Sequence, residues 1–521
     1  MFSARTTQDL LESRLDAEFY HPAYIENEVA IRNCGLEVCS VADIATKLKC
    51  GPFGSSLHAS QYVDSGVPFV HPTSFSSGWF DRDKTEFISS TDHGRLASTQ
   101  FNAPALVFAR VGSPCCSVLP RSLGAFNIQG DVVGVQCNGG FDTHFVYAFF
   151  LSCYGRVELN RYQAGSTRPR TNTSTLAELL VVGPSLKAQN YIGDKVRNAE
   201  KAEDLARSSA TKLSLQLASF FAGRPEPSAA VHSRVSADKV NTLRLEAEYY
   251  EPLAVWAEQE IVNGKYACMP LSDLASRIKD GPGGWGVSTN DYVASGVPVI
   301  RGVNIVHGDC DLSDCVFVSH DKHRELKSHK TVRGSVVLSV RGTIGRSAVF
   351  DVPGCDEASL NAAVVTIECR DSIHPHYLAE FFNSRVGQVQ SRRIGNGAVQ
   401  QNMNLTEAGS LLVVVPPPEI QLEIAHARQR RIFSHRLRRD LVLAAKFLVD
   451  GVVDRKISDN ELATAQSQLE EGDCTGDRAI LSRLHEGGID STGTRLLFPD
   501  LDAYYETLRM AEQALMDGGD E

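Results

Sequence analysis

From about 40 to 185, and again from about 270 to 418, short apolar runs alternate with clusters of Gly, Pro, Ser and Asn. The runs 67–70, 106–109 and 132–135, and later 297–300, 336–340 and 363–367, are rich in Val, Ile, Leu and Phe, so they predict short strands joined by polar loops. One helical pattern interrupts each stretch, at 144–157 and 376–389. After each stretch the chain runs more than twenty residues without Gly or Pro. Along the first such run and the turn before it (the turn that holds Gly193), Ile192, Val196, Ala199, Ala206, Ala210, Leu213, Leu217 and Phe220 recur at steps of three and four, with Glu203 breaking the seam. That spacing predicts a coiled-coil-like helix of about thirty residues, ~45 Å long at ~1.5 Å per residue. The second run, 419–450, has a less regular seam and a basic middle of Arg428, Arg430, Arg431, Arg436, Arg438 and Arg439.

The two stretches are copies. Arg14-Leu15-Asp16-Ala17-Glu18-Phe19-Tyr20 returns as Arg244-Leu245-Glu246-Ala247-Glu248-Tyr249-Tyr250, and Tyr62 to Pro68 returns as Tyr292 to Pro298, at an offset of 230. Further on the offset is 232, pairing His144 with His376, Phe149-Phe150 with Phe381-Phe382, Asn172 with Asn404, Pro184 with Pro416 and Gln189 with Gln421. Two residues are therefore gained between the two sets. A fixed offset held over this length marks an internal repeat, with each repeat one module followed by one long helix. If the helices pair antiparallel they hold the modules apart like a caliper. The predicted fold class is α/β (α+β), with two tandem mixed α/β modules separated by long antiparallel coiled-coil-like helices in a pseudo-twofold arrangement.

The 521 residues suffice for about three to five folding units, and 42% hydrophobic with 22% charged residues is the composition of a soluble globular protein. No apolar run approaches the ~18 residues of a membrane span, and residues 1–16 lack the order of a secretory signal, so a cytoplasmic protein with no membrane partner is expected. Thirteen cysteines without a single Cys-x-x-Cys are expected to be free thiols rather than disulfides or a zinc site. The net charge of −11 is located in the tail, where residues 450–521 hold 17 acidic and 6 basic side chains. The rest of the chain is neutral, which leaves local basic strips free to meet a polyanion.

Several phrases carry a family resemblance: Gly51-Pro52-Phe53-Gly54-Ser55, the Tyr-x-x-x-Gly-Val-Pro phrase of both copies, Arg341-Gly342-Thr343-Ile344-Gly345, and the Pro-Pro-Pro-Glu start of the second long helix at 416–419. In these and in its organisation, from about residue 14 to 450, the chain resembles the specificity subunit of type I restriction-modification systems, which serve phage defence. The resemblance implies two target-recognition domains, each reading one half of a bipartite double-stranded DNA motif. It implies two copies of an adenine-N6 DNA methyltransferase subunit docked on the helices, and a motor or nuclease subunit beside them. The expected layout is target-recognition domain 1 with an N-terminal segment at 1–185, a central spacer helix at 186–223, linker and target-recognition domain 2 at 224–418, a distal spacer helix at 419–450 and an acidic extension at 451–521. The chain itself is expected to be non-catalytic and to hold no cofactor, with S-adenosylmethionine and Mg/ATP only on partner subunits. In the first copy Arg110-Val111-Gly112-Ser113-Pro114-Cys115 stands where the second has the Gly-Thr-Ile-Gly phrase, and the extension has no counterpart in the family pattern.

The residues support this absence of catalysis. A methyltransferase needs Asn or Asp before Pro-Pro and an aromatic, and Val415-Pro416-Pro417-Pro418 lacks that amide or carboxylate. The loop 341–346 is too short to cradle a phosphate and no Gly-Lys-Ser/Thr follows it. A metal nuclease needs a lysine near paired carboxylates, yet none occurs after Lys456, and His374 with His376 is read as a helix start rather than a metal pair. The alternative reading is a non-catalytic protein-interaction scaffold in a related defence complex, its duplicated modules gripping two partner copies.

Base readout calls for Arg or Lys toward guanine, Asn or Gln toward adenine, and Ser or Thr as adaptable partners on loops. The richest loop of the first copy offers Thr167, Arg168, Arg170 and Asn172, and its copy offers Arg393, Asn396, Gln400, Gln401 and Asn402. A second pair of loops carries Lys47, Lys49, Ser55 and Ser56 against Lys279 and Trp285, and a third carries Thr73 against Arg301 and Asn304. Arg110 and Arg341, each at a strand end before a Gly loop, are candidates for phosphate contact, with Thr343 and Arg346 beside the latter. Ile192, Val196, Leu213, Leu217, Ile424 and Leu441 are the candidates for packing against the other long helix and partner helices.

Overall fold

The computed structural model describes residues 17–52, 57–162, 170–228, 234–240, 244–283, 286–306, 308–395, 402–491 and 495–517. These form two compact units, Met1–Glu203 with Arg436–Glu521, and Asp204–His435. The division falls inside both long helices.

The first module begins with helix α1 (Pro22–Arg32). Strands β1 (Glu37–Ser40), β2 (Ala45–Cys50), β3 (Val67–Val70), β4 (Glu86–Ile88), β5 (Gln100–Asn102), β6 (Ala105–Ala109), β7 (Cys116–Leu119), β8 (Ala125–Ile128) and β9 (Val132–Cys137) follow. Helices α2 (Thr143–Leu151), α3 (Cys153–Arg161) and α4 (Thr173–Ala177) and strand β10 (Leu180–Gly183) then lead into the long helix α5 (Leu186–Ala218). The strands make two four-stranded sheets, ordered β2-β9-β6-β7 and β4-β3-β8-β5, and β1 pairs with β10. Central β6 is buried at all five positions, which is why its sequence, Ala-Leu-Val-Phe-Ala, is apolar without alternation.

The second module repeats this plan. After helix α6 (Pro252–Val262) come β11 (Cys268–Pro270), β12 (Ala275–Asp280), β13 (Tyr292–Val293), β14 (Val297–Ile300), β15 (Ile305–Val306), β16 (Asp309–Cys310) and β17 (Val316–Val318). They are followed by β18 (Lys330–Val332), β19 (Val336–Ser339), β20 (Ser347–Val349), β21 (Glu357–Leu360) and β22 (Val364–Cys369). Helices α7 (Pro375–Asn383), α8 (Arg385–Ile394) and α9 (Leu405–Gly409), strand β23 (Leu412–Val414) and the long helix α10 (Pro418–Val453) complete it. Its sheets are β12-β22-β19-β20 and β13-β17-β14-β21-β18, with β11 on β23 and a β15–β16 hairpin.

The single helices expected at 144–157 and 376–389 are each broken in two. Ser152 ends α2 and its hydroxyl accepts from the Gly155 N–H (3.0 Å), while Ser384 does the same for Gly387 (3.1 Å). The glycines are required, because a Cβ on Gly155 would lie 2.0 Å from the Phe149 carbonyl oxygen and one on Gly387 2.2 Å from that of Phe381. A Ser-x-x-Gly phrase inside an apolar helical pattern was the available signal.

The matched glutamines tie each module to its helix. Gln189 accepts from the Asp142 N–H (2.9 Å) and donates to the carbonyls of Pro184 and Gly140, and Gln421 accepts from the His374 N–H (2.8 Å) and donates to Pro416 and Ser372. Within the first unit, Ile192, Val196 and Ala199 of α5 share a core with Leu441, Ala444 and Leu448 of α10; within the second, Leu213 and Leu217 of α5 share a core with Ile424 of α10. N-terminal half meets C-terminal half in each case, the antiparallel pairing expected of these helices. The six seam candidates are all buried within the chain, so its own core fills the seam where partner helices were expected as well.

The acidic tail folds onto the first unit. Helices α11 (Asp459–Glu470), α12 (Thr475–Leu481) and α13 (Leu501–Asp517), with the hairpin β24 (Leu484–His485) and β25 (Gly488–Ile489), contribute Leu462, Ile480, Leu484, Phe498 and Tyr504 to the first unit's core. Asp477, 1% exposed, accepts from the Tyr191 hydroxyl (2.7 Å) and Tyr505 hydroxyl (2.6 Å) and from Lys195.

Candidate nucleic-acid interface

In the first module β2 runs into Gly51, whose N–H donates to the Val132 carbonyl (3.0 Å). The backbone there is so close to its neighbour that a Cβ on Gly51 would stand 2.1 Å from the Gln129 carbonyl oxygen. Gln129 N–H in turn donates to Val70 at the end of β3 (2.9 Å), Arg110 N–H to Asp131 (2.8 Å), and Thr171 N–H to Arg110 (2.9 Å). Val111 pairs with Arg170. Four segments distant in sequence, following β2, β3 and β6 and preceding α4, thus meet at one edge.

The second module builds the same edge from matched residues. Gly281 N–H donates to Val364 (3.0 Å), and a Cβ on Gly281 would lie 2.1 Å from the Asn361 carbonyl oxygen. Asn361 N–H donates to Ile300 (3.1 Å), Val340 N–H to Ala363 (2.8 Å) and Met403 N–H to Val340 (2.9 Å), while Arg341 pairs with Asn402. The shared Gly-Pro phrase marks this close approach in both copies.

These registers correct one sequence expectation. Leu106 pairs with Val135, and Val336 pairs with Ile367, so β6 and β19 match at an offset of 230. Arg110 therefore corresponds to Val340, and Arg341 to Val111. A shift of one residue turns the side chain to the other face. The Arg110 guanidinium, half-buried, points back to the Gly130 carbonyl (3.4 Å) and the Cys50 sulfur (3.6 Å), whereas Arg341 is exposed and donates to Asn402 Oδ1 (2.9 Å). The two gained residues are split: β7 pairs with β6, and β20 with β19, at an offset of 231, and the next strand on, β8 against β21, at 232. One residue thus enters each of the loops flanking β20.

Other candidates have structural employment. Asn172 caps α4, its Oδ1 accepting from Thr175 N–H (2.8 Å), and the matched Asn404 caps α9 through Glu407 N–H (2.9 Å). Asn304, 2% exposed, closes its loop by accepting from Arg301 N–H (3.1 Å) and donating to the Asp311 carbonyl (3.0 Å). Arg301 leans on the Asp314 carbonyl. Lys47 donates to the Gln100 carbonyl (2.5 Å) over the Phe101 ring, Lys279 pairs with Asp280 (3.6 Å), and Arg393 pairs with Glu258 (2.7 Å) over the Tyr249 ring.

Lys49, Thr73, Arg170, Arg341, Thr343, Arg346 and Asn402 are exposed. Arg170 of the first copy and Arg341, Thr343, Arg346 and Asn402 of the second belong to segments meeting at the shared edges. Ser55, Ser56, Thr167, Arg168, Trp285, Asn396, Gln400 and Gln401 lie outside the described residues.

Gln129 and Asn361 were not singled out from the sequence. Each amide braces the turn at its edge, accepting from Asp131 N–H and Ala363 N–H (2.8 Å each). Their fixed offset of 232 was the signal. Within the basic middle of α10, Arg428 is fully buried and Arg431 forks onto Glu380 (2.7 and 2.8 Å), so neither faces solvent. Among the described residues no group of three His, Cys, Asp or Glu side chains is placed to hold a metal, and no helix is long and apolar enough to cross a membrane.

No family model and no curated protein matches the chain. Solved structures do. The S subunit of the type I restriction-modification system from M. genitalium is 10% identical, with 82% of this chain and 97% of that chain covered and a TM-score of 0.45. The HsdS subunit from Thermoanaerobacter tengcongensis is 13% identical, covering 81% and 97% with a TM-score of 0.26. A structure described for the assembly and conformational transition of the type I R-M system covers 81% and 97% at 13% identity, with a TM-score of 0.31. These neighbours are type I restriction-modification S subunits.

Proposed function

We propose that this chain is the DNA sequence-specificity subunit of a restriction-modification-type defence complex, without catalysis of its own. Each module reads one half of a bipartite double-stranded motif through its loop edge. The observation that carries this reading is the duplicated edge, in which backbone pairings repeat residue for residue while the exposed side chains differ: Arg170 on one, Arg341, Thr343, Arg346 and Asn402 on the other. Two readers of different half-sites need a common scaffold with unlike polar groups at its rim. The family resemblance implies two copies of an adenine-N6 methyltransferase along the helices, with a motor or nuclease subunit joining. S-adenosylmethionine and Mg/ATP then belong to those partners.

Single-molecule methylation mapping of host DNA with and without this gene tests the reading. The expected result is the loss of one bipartite N6-methyladenine motif on deletion. An unchanged methylome, together with no salt-dependent binding to duplex DNA, would replace it with the scaffold that grips two copies of a protein partner.

A further inference from the structure

Beside the loop that leaves β6, the first unit has a cleft of about 480 Å³. Its polar lining is Ser76 and Ser77 from the segment after β3, Ser113 from the loop, Arg156 and Asn160 from α3, and Lys446 from α10. Among the described residues no Asp or Glu lines it. Arg156 is exposed, and its guanidinium has no hydrogen bond or ion pair among the described residues. Lys446 rests over the Phe447 ring (5.2 Å), and Asp450, one turn further along α10, accepts instead from the Cys153 N–H (2.8 Å).

The second unit has the matched cleft, of about 970 Å³. Gly308 lines it where the first has Gly78, Ala210 where it has Val442, and Arg346 where it has Cys115. The cations have moved. Gln388 stands at the position of Arg156, and Ser214 at that of Lys446. Gln388 is committed to the loop, which is one residue longer here: its amide donates to the carbonyls of Gly345 (2.6 Å) and Phe382 (2.8 Å). The next residue of that loop, Arg346, is exposed, and its side chain has no partner among the described residues. The other arginines lining this cleft are engaged locally, Arg431 on Glu380, Arg385 on Glu226 and Arg224 on Gln259, while Glu260 accepts from the Gly223 N–H (2.7 Å).

We propose that these clefts seat the sugar-phosphate backbone of duplex DNA beside each half-site, anchored by Arg156 and Lys446 in the first copy and by Arg346 in the second. The inference rests on the specificity-subunit reading and adds a sequence-independent anchor to it. Both clefts adjoin the loops that form the readout edges. Ser113 follows Val111, which pairs with Arg170, and Arg346 ends the loop begun by Arg341, which pairs with Asn402. Between the copies the sign of the unpaired charge is kept, while the residue and the element that bear it change. A small ligand recognised by its shape needs donors at fixed points, whereas a backbone that is the same for every sequence needs only a cation within reach of a phosphate. Arg346 is then an anchor, and base reading in the second copy falls to Arg341, Thr343 and Asn402.

Binding of the full chain to duplex DNA of arbitrary sequence, followed across a salt series by fluorescence anisotropy, tests this, with the fold of each variant checked by circular dichroism. Arg156→Gln with Lys446→Gln should flatten the slope of log K against log salt by about two, and Arg346→Gln by about one, to the same extent on every duplex. Lys212→Gln with Lys265→Gln, exposed cations outside both clefts, makes the same change in net charge as the first pair and should leave the slope as it was. Slopes unmoved by the cleft variants, or moved as much by the control pair, overturn the proposal and leave the DNA-address reading standing. A loss confined to one duplex sequence overturns it by making the substituted residue a base reader. Unmoved slopes, together with calorimetric binding of inorganic phosphate that vanishes in Arg156→Gln with Lys446→Gln, overturn DNA as the occupant in favour of a free anion. An intact chain that binds no duplex overturns both the proposal and the DNA-address reading.

Discussion

In the first module the Gly78 carbonyl accepts a hydrogen bond from the Tyr147 hydroxyl (2.5 Å), and in the second the matched Gly308 carbonyl accepts from the Arg428 guanidinium. The donors come from different places. At position 147 the second copy has Ala379, too short to reach, and where it has Arg428 the first copy has Val196. Having buried an arginine, the second copy adds a counterion: Glu380 stands where the first has Ala148, and Arg431, where the first has Ala199, forks onto it. Burial pushes Arg428 down to about 10, Glu380 opposes that shift, and Arg431 adds to it, so the side chain stays charged at neutral pH. One loop position is held by a phenol in one copy, and by a buried ionic cluster in the other. The repeat therefore conserves which backbone groups must be satisfied, and leaves free which side chain satisfies them.

The largest break in this comparison should come from Glu380→Ala. It removes the carboxylate that Arg428 and Arg431 share, and the expected cost is about 3–5 kcal/mol, read as faster hydrogen exchange over α7 and the second unit's half of α10. Installing the first copy's residues at all four positions, Ala379→Tyr, Glu380→Ala, Arg428→Val and Arg431→Ala, should recover most of that loss. If the fourfold variant is no better than Glu380→Ala, the two arrangements are not interchangeable.

What the copies share should fail alike in both. Gly51→Ala and Gly281→Ala each drive a methyl group onto a carbonyl oxygen, at a cost of about 1–3 kcal/mol, and unequal losses in exchange protection near β2 and β12 would count against the matched edge. On DNA the copies should differ. Arg341→Ala and Arg170→Ala are each expected to cost about 1–3 kcal/mol if the arginine reads a base, confined to opposite half-sites in binding assays on altered duplexes. A uniform loss with a flatter salt dependence would assign that arginine to phosphate instead.

Smaller still is Tyr147→Phe, which removes one hydrogen bond and should cost about 1 kcal/mol in the first unit alone by the same exchange measurement. The least effect at neutral pH concerns the extension. Burial raises the Asp477 carboxyl, but Lys195 and the two tyrosine hydroxyls outweigh it and hold the group below its ordinary value. A depressed folded value means that the stabilisation is complete above an unfolded pKa of about 3.9 and is lost as pH falls through the folded value. Near-UV circular dichroism of the tyrosines should therefore show an acid transition beginning below about pH 4 whose Asp477 component disappears in Asp477→Asn.

The tandem repeat was legible because its matches fall where substitution is tightly constrained. Gly51 and Gly281 sit against a carbonyl, Gln189 and Gln421 bridge a module to its helix, and Asn172 and Asn404 cap a helix. Each shows as a fixed-offset identity in the sequence. The breaks at Ser152 and Ser384 were missed because apolar spacing continues across them, and the capping that ends the helix is a short-range polar event. Pairing Arg110 with Arg341 failed because loops tolerate a one-residue insertion and only strand pairing reveals on which side of the arginine it falls.

The sequence by itself determined the duplication, the alternation of strands and loops, the two long helices and the acidity of the tail, since each is a periodicity or a composition along the chain. Only the tertiary structure decided which loops share an edge, which arginines are buried on Glu380 and which remain at the surface, and that the tail folds over the Lys187-to-Lys201 stripe of one long helix. Those are pairings between residues up to about 310 positions apart, as in Lys201 with Glu512. They depend on register and burial, which a pattern along one dimension does not encode.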